Sequence, residues 1–166
     1  GHAVARLAKL AVPAAPRSSL NVGQLWGGTS INAIAERAGF NLDLRSIDPT
    51  TLERLVEDAR FEIERAAKVA GCSYHLQTVG RRPAAAGDNG ALVAACTRAL
   101  AGVDVAVKTT VGSTDANVAM AAGISAVAFG VYRGGGAHRL DEWVDPESLS
   151  TGLRALCALL EELAGT

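Results

Sequence analysis

The 166-residue chain lacks several things whose absence narrows its function. It has no long run of charge of one sign, and its formal net charge is −1. Nucleic-acid binders concentrate Lys and Arg on one face, so a nucleic-acid partner is not expected. No stretch approaches the ~20 apolar residues of a membrane span, so no membrane partner is expected either. The N-terminus lacks the basic region, apolar core and cleavage site of a secretory signal. Three cysteines, Cys72, Cys96 and Cys157, are widely spaced and form no CxxC or CxxxC pair. A zinc knuckle or redox motif is therefore excluded, and buried reduced thiols in a cytoplasmic protein are expected. HExxH and HxD are also missing, and His2, His75 and His138 are not at helical ligand spacing. The only methionine is Met120 and the chain begins with Gly1. It thus reads as a processed, trimmed or partial sequence.

What is present is a hydrophobic content of 49 %, ample for a packed core. The first eleven residues place Ala3, Val4, Leu7, Leu10 and Ala11 at helical spacing, ended by Pro13 and Pro16. "SLNVGQLWG" alternates, with Leu20, Val22 and Gln24 on one face, as a strand does. "GGTSINAIAERAG" reads as a turn with a short helical segment. "FNLDLRS" sets Phe40, Leu42 and Leu44 against Asn41, Asp43 and Arg45, a half-buried strand antiparallel to the first. "DPTTLERLVEDARFEIERAAKVAG" is the clearest helix. Asp48 or Thr50 suits its cap, Pro49 its first turn and Gly71 its end. "SYHLQTVG" predicts a third strand. Helix, strand, strand, helix, strand is a ferredoxin-like α+β layer without its first strand.

Beyond "GRRPAAAGDNG", with "PAAAG" a candidate hinge, strands and helices alternate. "DVAVKTT" and "SAVAFGV" read as strands of a parallel α/β sheet. A closing helix starts near Asp145 and Pro146. The expected domains are residues 1–82 and 83–166.

Four places hold candidate chemistry. Asn32 can donate to a carboxylate or cap a short helix. Arg45, at a strand end, can grip a carboxylate bidentately or form a surface ion pair. Arg81 and Arg82 can clamp an anion or belong to a solvated turn. "VGSTDAN" can present backbone N–H groups to an anion, or Ser113, Thr114 or Asp115 can simply cap a helix; no P-loop Gly-Lys-Ser/Thr follows. In "VYRGGGAHRLDEWVD", His138 follows three glycines and precedes Asp141, Glu142 and Asp145. It is either a solvated turn residue or one member of a metal site.

The collinear order of "GQLWGGTSINAIAERAGFNLDLRS", "GRRPA", "GSTDANVAMAAGISAVAFG" and "GGGAHRLDEWV" resembles the zinc metallopeptidases of family 20, the aminoacylase, carboxypeptidase G and tripeptidase T superfamily. The likeness spans nearly the whole chain and is strongest to tripeptidase T-like members. It implies that residues 1–82 are most of a lid and dimerisation domain. Residues 83–166 would then be the C-terminal part of an α/β catalytic domain. By the same resemblance His138 is a zinc ligand, and Asn32, Arg45 and Arg82 contact substrate. The implied enzyme is a homodimer in which two zinc ions activate a water against a peptide or N-acyl amino acid bond. The family's HxD motif, Glu-Glu pair with its general base, further acidic ligand and lid Gly-His motif have no counterpart here. The expectation is a C-terminal portion without catalytic residues, inactive alone and unable to hold two zinc ions. The alternatives are a non-catalytic dimerisation or interaction module, and one half of a split hydrolase.

Overall fold

The computed structural model describes residues 1–84 and 87–165. The chain divides into two compact units, Gly1–Ala86 and Gly87–Thr166. Of the candidate hinge "PAAAG", Ala85 and Ala86 lie outside the described residues.

The first unit holds helix α1 (His2–Leu7), strands β1 (Ser18–Gly27) and β2 (Ala38–Ser46), and helix α2 (Pro49–Ala70). β1 and β2 pair antiparallel, from Ser18 opposite Ser46 to Gly27 opposite Ala38. The register shifts between Val22 and Gln24. That bulge moves Gln24 off the face expected for it. It sits opposite Asn41, whose Nδ2 donates to Gln24 Oε1 at 2.7 Å. Trp26 lies over Gly39 across the ladder, where any Cβ would come within 2.5 Å of the indole.

α2 forms as its sequence dictates. The Asp48 carboxylate accepts the Thr51 N–H at 2.7 Å, Pro49 opens the first turn, and Gly71 ends the helix at φ 63°. Its buried stripe is Leu55, Ala59, Ile63 and Ala66. Ala59 and Ile63 pack with Leu7, and Leu20, Val22, Phe40, Leu42 and Leu44 close over them. Leu7 and Leu55 are fully buried. Burying a leucine stabilises by about 1.5–3 kcal/mol, so this small core carries the unit. Arg6 of α1 pairs with Glu62 of α2.

The second unit holds α3 (Gly90–Ala101), α4 (Ala116–Ala121), β3 (Arg133–Gly135), β4 (Trp143–Asp145) and α5 (Ser148–Ala164). Ala95, Ala99 and Leu159 join α3 to α5, with Phe129 and Cys96 packed against them. Arg98 of α3 pairs with Glu162 of α5. α5 also rests directly on backbone: a Cβ at Gly152 would lie 1.8 Å from the Val131 carbonyl oxygen.

Several expectations are corrected. Residues 73–80, 104–110 and 125–131 join no ladder among the described residues, so neither the third strand of the first layer nor a parallel sheet forms. Alternation gives a segment strand character, but a strand exists only with a hydrogen-bonded neighbour. α1 stops at Leu7 and no helix forms in residues 28–37. α5 runs from Ser148, two residues later than Pro146, while the Asp145 carboxylate caps the turn ahead of it by accepting the Glu147 N–H at 3.1 Å. The thiols are free but not buried: Cys72 and Cys157 are exposed and Cys96 is half-buried. Burial raises the Cys96 thiol pKa. No described helix is long and apolar enough to cross a membrane.

Candidate functional site

His138 sits at the tip of the β3–β4 hairpin. Gly134 pairs with Val144, and a Cβ there would lie 2.7 Å from the Trp143 carbonyl oxygen. Gly135 lies under the Trp143 indole, and Gly136 turns the chain at φ 70°. Glycines therefore build the hairpin as well as bend it. His138 itself has φ 66°, a left-handed conformation that costs a non-glycine residue about 1–2 kcal/mol. Its backbone N–H donates to Glu142 Oε2 at 3.2 Å, which holds that conformation.

The neighbouring carboxylates are engaged in the hairpin. Asp141 pairs with Arg139 at 2.8 Å and Asp145 with Arg133 at 2.8 Å. Among the described residues no group of three or more His, Cys, Asp or Glu is placed to hold a metal ion. An exposed imidazole alone does not make a zinc centre, which needs three or four ligands. The residues present do not fit the two zinc ions that the resemblance implies.

The other candidates belong to the first unit. Asn32 is exposed in the loop of residues 28–37, closed where Gly28 N–H donates to Arg37 O at 3.4 Å. Its Oδ1 accepts from Ser30 Oγ at 2.9 Å; it caps no helix. Arg45 points to the exposed face, and its Nε donates to Asp43 Oδ2 at 2.6 Å. Its side chain remains 60 % exposed. Such a surface pair is worth little and does not withhold the guanidinium from a ligand.

The ladder separates Asn32 from Arg45. Arg45 lies opposite Ser19, and the loop bearing Asn32 leaves beyond Ala38. Seven strand residues, about 23 Å, lie between Arg45 and that end. Arg81, the chain neighbour of Arg82, pairs with Glu53 near the start of α2, and Arg45 stands three residues before the α2 cap, Asp48. Hydrogen bonds from Thr51 hold the Asp48 carboxyl below the usual carboxylate pKa. The ladder thus sets Arg45 at one end and Asn32 at the other.

"VGSTDAN" leads into α4, only six residues long, with Asp115 at its N-cap position. The residue that reaches back is Asn117, whose Oδ1 accepts the Thr114 N–H at 2.8 Å. Sequence reasoning passed over it, and it also missed Asn89. Asn89 Oδ1 accepts the Ala126 N–H at 2.9 Å, and its Nδ2 lies 3.0 Å from Met120 Sδ. Only spatial proximity across 37 residues reveals that role.

A family model described as "Peptidase family M20/M25/M40" matches residues 10–162. No curated protein matches the chain. Among solved structures, aminopeptidase PepT from Bacillus cereus superposes at a TM-score of 0.62 with 21 % identity, over 98 % of this chain and 44 % of that one. AtUAH in complex with glyoxylate superposes at 0.71 with 20 % identity, over 90 % of this chain and 36 % of that one. The chain thus spans less than half the length of either structure, and at these identities the likeness is one of fold.

Proposed function

Given that the chain belongs to peptidase family M20/M25/M40, we propose that it forms the lid and the C-terminal part of the catalytic domain of a zinc-dependent peptidase or amidohydrolase. Alone, it hydrolyses nothing. The family match over residues 10–162 carries the assignment. The lack of a grouped ligand set among the described residues supports the inactivity.

In this reading residues 1–82 are the lid and 83–166 the catalytic part. The substrate is a peptide or an N-acyl amino acid. Arg45 and Arg82 grip its carboxylate at one end of the lid, with the guanidinium fork matching the anion. That a solved protein of similar fold holds glyoxylate, itself a carboxylate, agrees with this substrate class. Asn32, at the far end, reaches substrate from a second copy, which accords with a homodimer formed through the lid. His138 serves as one zinc ligand once the remaining ligands and the general base are supplied by additional polypeptide.

The test is metal analysis of the purified chain together with assays on di- and tripeptides and N-acyl amino acids. Neither stoichiometric zinc nor turnover is expected. Tight zinc at one or two equivalents accompanied by turnover would overturn the reading. The exposed Leu25, Trp26, Ile31 and Ile34 at the hairpin end favour a second reading, a self-associating module without chemistry. Co-expression with the polypeptide encoded immediately upstream of Gly1 separates the two. Restored hydrolysis fits the split-hydrolase form of the first reading. Dimers in sedimentation with no hydrolysis fit the second.

A further inference from the structure

Two residues other than glycine hold a positive φ among the described residues, Asp104 at 57° and His138 at 66°. A helix end accounts for Asp104. It lies just past α3, where its N–H donates to Ala101 O at 3.1 Å and the Val105 N–H to Leu100 O at 3.0 Å. That wrap closes a helix C-terminus, and aspartate is among the residues that visit the left-handed region routinely. His138 ends no helix, and among the described residues no backbone carbonyl receives its N–H.

The loop that carries His138 is otherwise closed by its own backbone. Gly135 pairs with Trp143 in the last rung of the β3–β4 ladder. Beyond that rung the Arg139 N–H donates to Gly136 O at 2.9 Å, and the Glu142 N–H to Arg139 O at 3.2 Å. Glu142 is the first residue past the ladder on the β4 side, next to the tryptophan that lies over Gly135. Its side chain therefore reaches back across the loop from a fixed base. Asp141 and Asp145 meet the guanidinium groups of Arg139 and Arg133, whereas Glu142 Oε2 accepts the His138 N–H. The backbone angles of a residue set where its Cα–Cβ bond points, so a change of φ at His138 redirects the imidazole.

We propose that Glu142 is a positioning residue for His138. Its carboxylate holds the left-handed turn through the His138 N–H and so fixes the direction in which the hairpin tip presents the imidazole. A glycine would take this φ without cost but would have no imidazole to present, which is why the strain is retained. The inference deepens the role proposed for His138 and rests on that reading only for what the imidazole meets; the conformation belongs to the chain as it stands.

NMR and amide exchange on the free chain test it. A positive φ brings a residue's own amide proton and Hα close together, and the native chain should show that strong contact at His138. In Glu142→Ala the contact should weaken, and the His138 amide should exchange about tenfold faster, as on losing a hydrogen bond to a charged group. Glu142→Gln keeps a carbonyl oxygen at the same reach, so it should retain the contact and exchange within about threefold of the native chain, as a neutral acceptor allows. The Arg139 amide, bonded to Gly136 O, should be unchanged in both variants. Equal acceleration at Arg139 would make Glu142 a general stabiliser of the hairpin and overturn the proposal. So would a His138 contact that is absent from the native chain, that survives Glu142→Ala, or that is lost equally in Glu142→Gln. No zinc or substrate enters these measurements, so their failure is distinct from failure of the metal and hydrolysis assays.

Discussion

At the scale of single residues, His138 shows how much a sequence can say about a position and how little about its neighbours. Its place among glycines and acids singled it out. That Asp145 is taken by Arg133 depends on hairpin register, which spacing alone does not give, whereas Asp141 pairs with Arg139 two residues away in the loop. The α2 cap was legible as one of two candidates, Asp48 or Thr50, because an N-cap is a local device read from a few adjacent residues; the structure selects Asp48. It also yields a pH prediction. Its carboxyl is held below 3.8 in the folded chain by the Thr51 backbone N–H and, secondarily, the Thr51 hydroxyl. A depressed folded pKa contributes stability that is fully present above the unfolded value and lost as pH falls through the folded one. The melting-temperature advantage of the native chain over Asp48→Ala should hold steady at neutral pH and shrink below pH 3.8. An advantage unchanged well below that point would refute the assignment.

At the scale of elements, helices and the β1–β2 hairpin were legible because their signals are local: caps, a 3.6-residue stripe, and two alternating runs joined by a turn. Residues 104–110 and 125–131 were not, since a buried apolar run fits several structures until a partner is known. Here the latter run serves α5 instead, through Phe129 and the Val131 backbone. That contact makes α5 intolerant at one position. Gly152→Ala places a methyl 1.8 Å from the Val131 carbonyl oxygen. The substitution should cost about 1–3 kcal/mol by urea unfolding, as overpacking does. Ser150→Ala on the exposed face should stay within about 0.5 kcal/mol. Equal midpoints for the two variants would show that α5 does not seat on this backbone.

At the scale of the whole molecule, the chain is nearly neutral, with an isoelectric point near 6.3, and bares large side chains such as Ile31, Ile34, Leu140 and Val79. Without net repulsion apolar surface attracts apolar surface, so light scattering should rise towards pH 6.3 and fall by about pH 8.5. Scattering that is flat across that range would mean the exposed groups do not drive association. The composition announced the charge balance, but not which apolar residues would stay uncovered, since that depends on which segments find partners. The two tryptophans have a practical consequence. Trp26, over Gly39, belongs to the first unit and Trp143, over Gly135, to the second. They are the only two in the chain. Intrinsic fluorescence is thus already divided between the units: Trp143→Phe leaves emission from the first alone, and Trp26→Phe from the second.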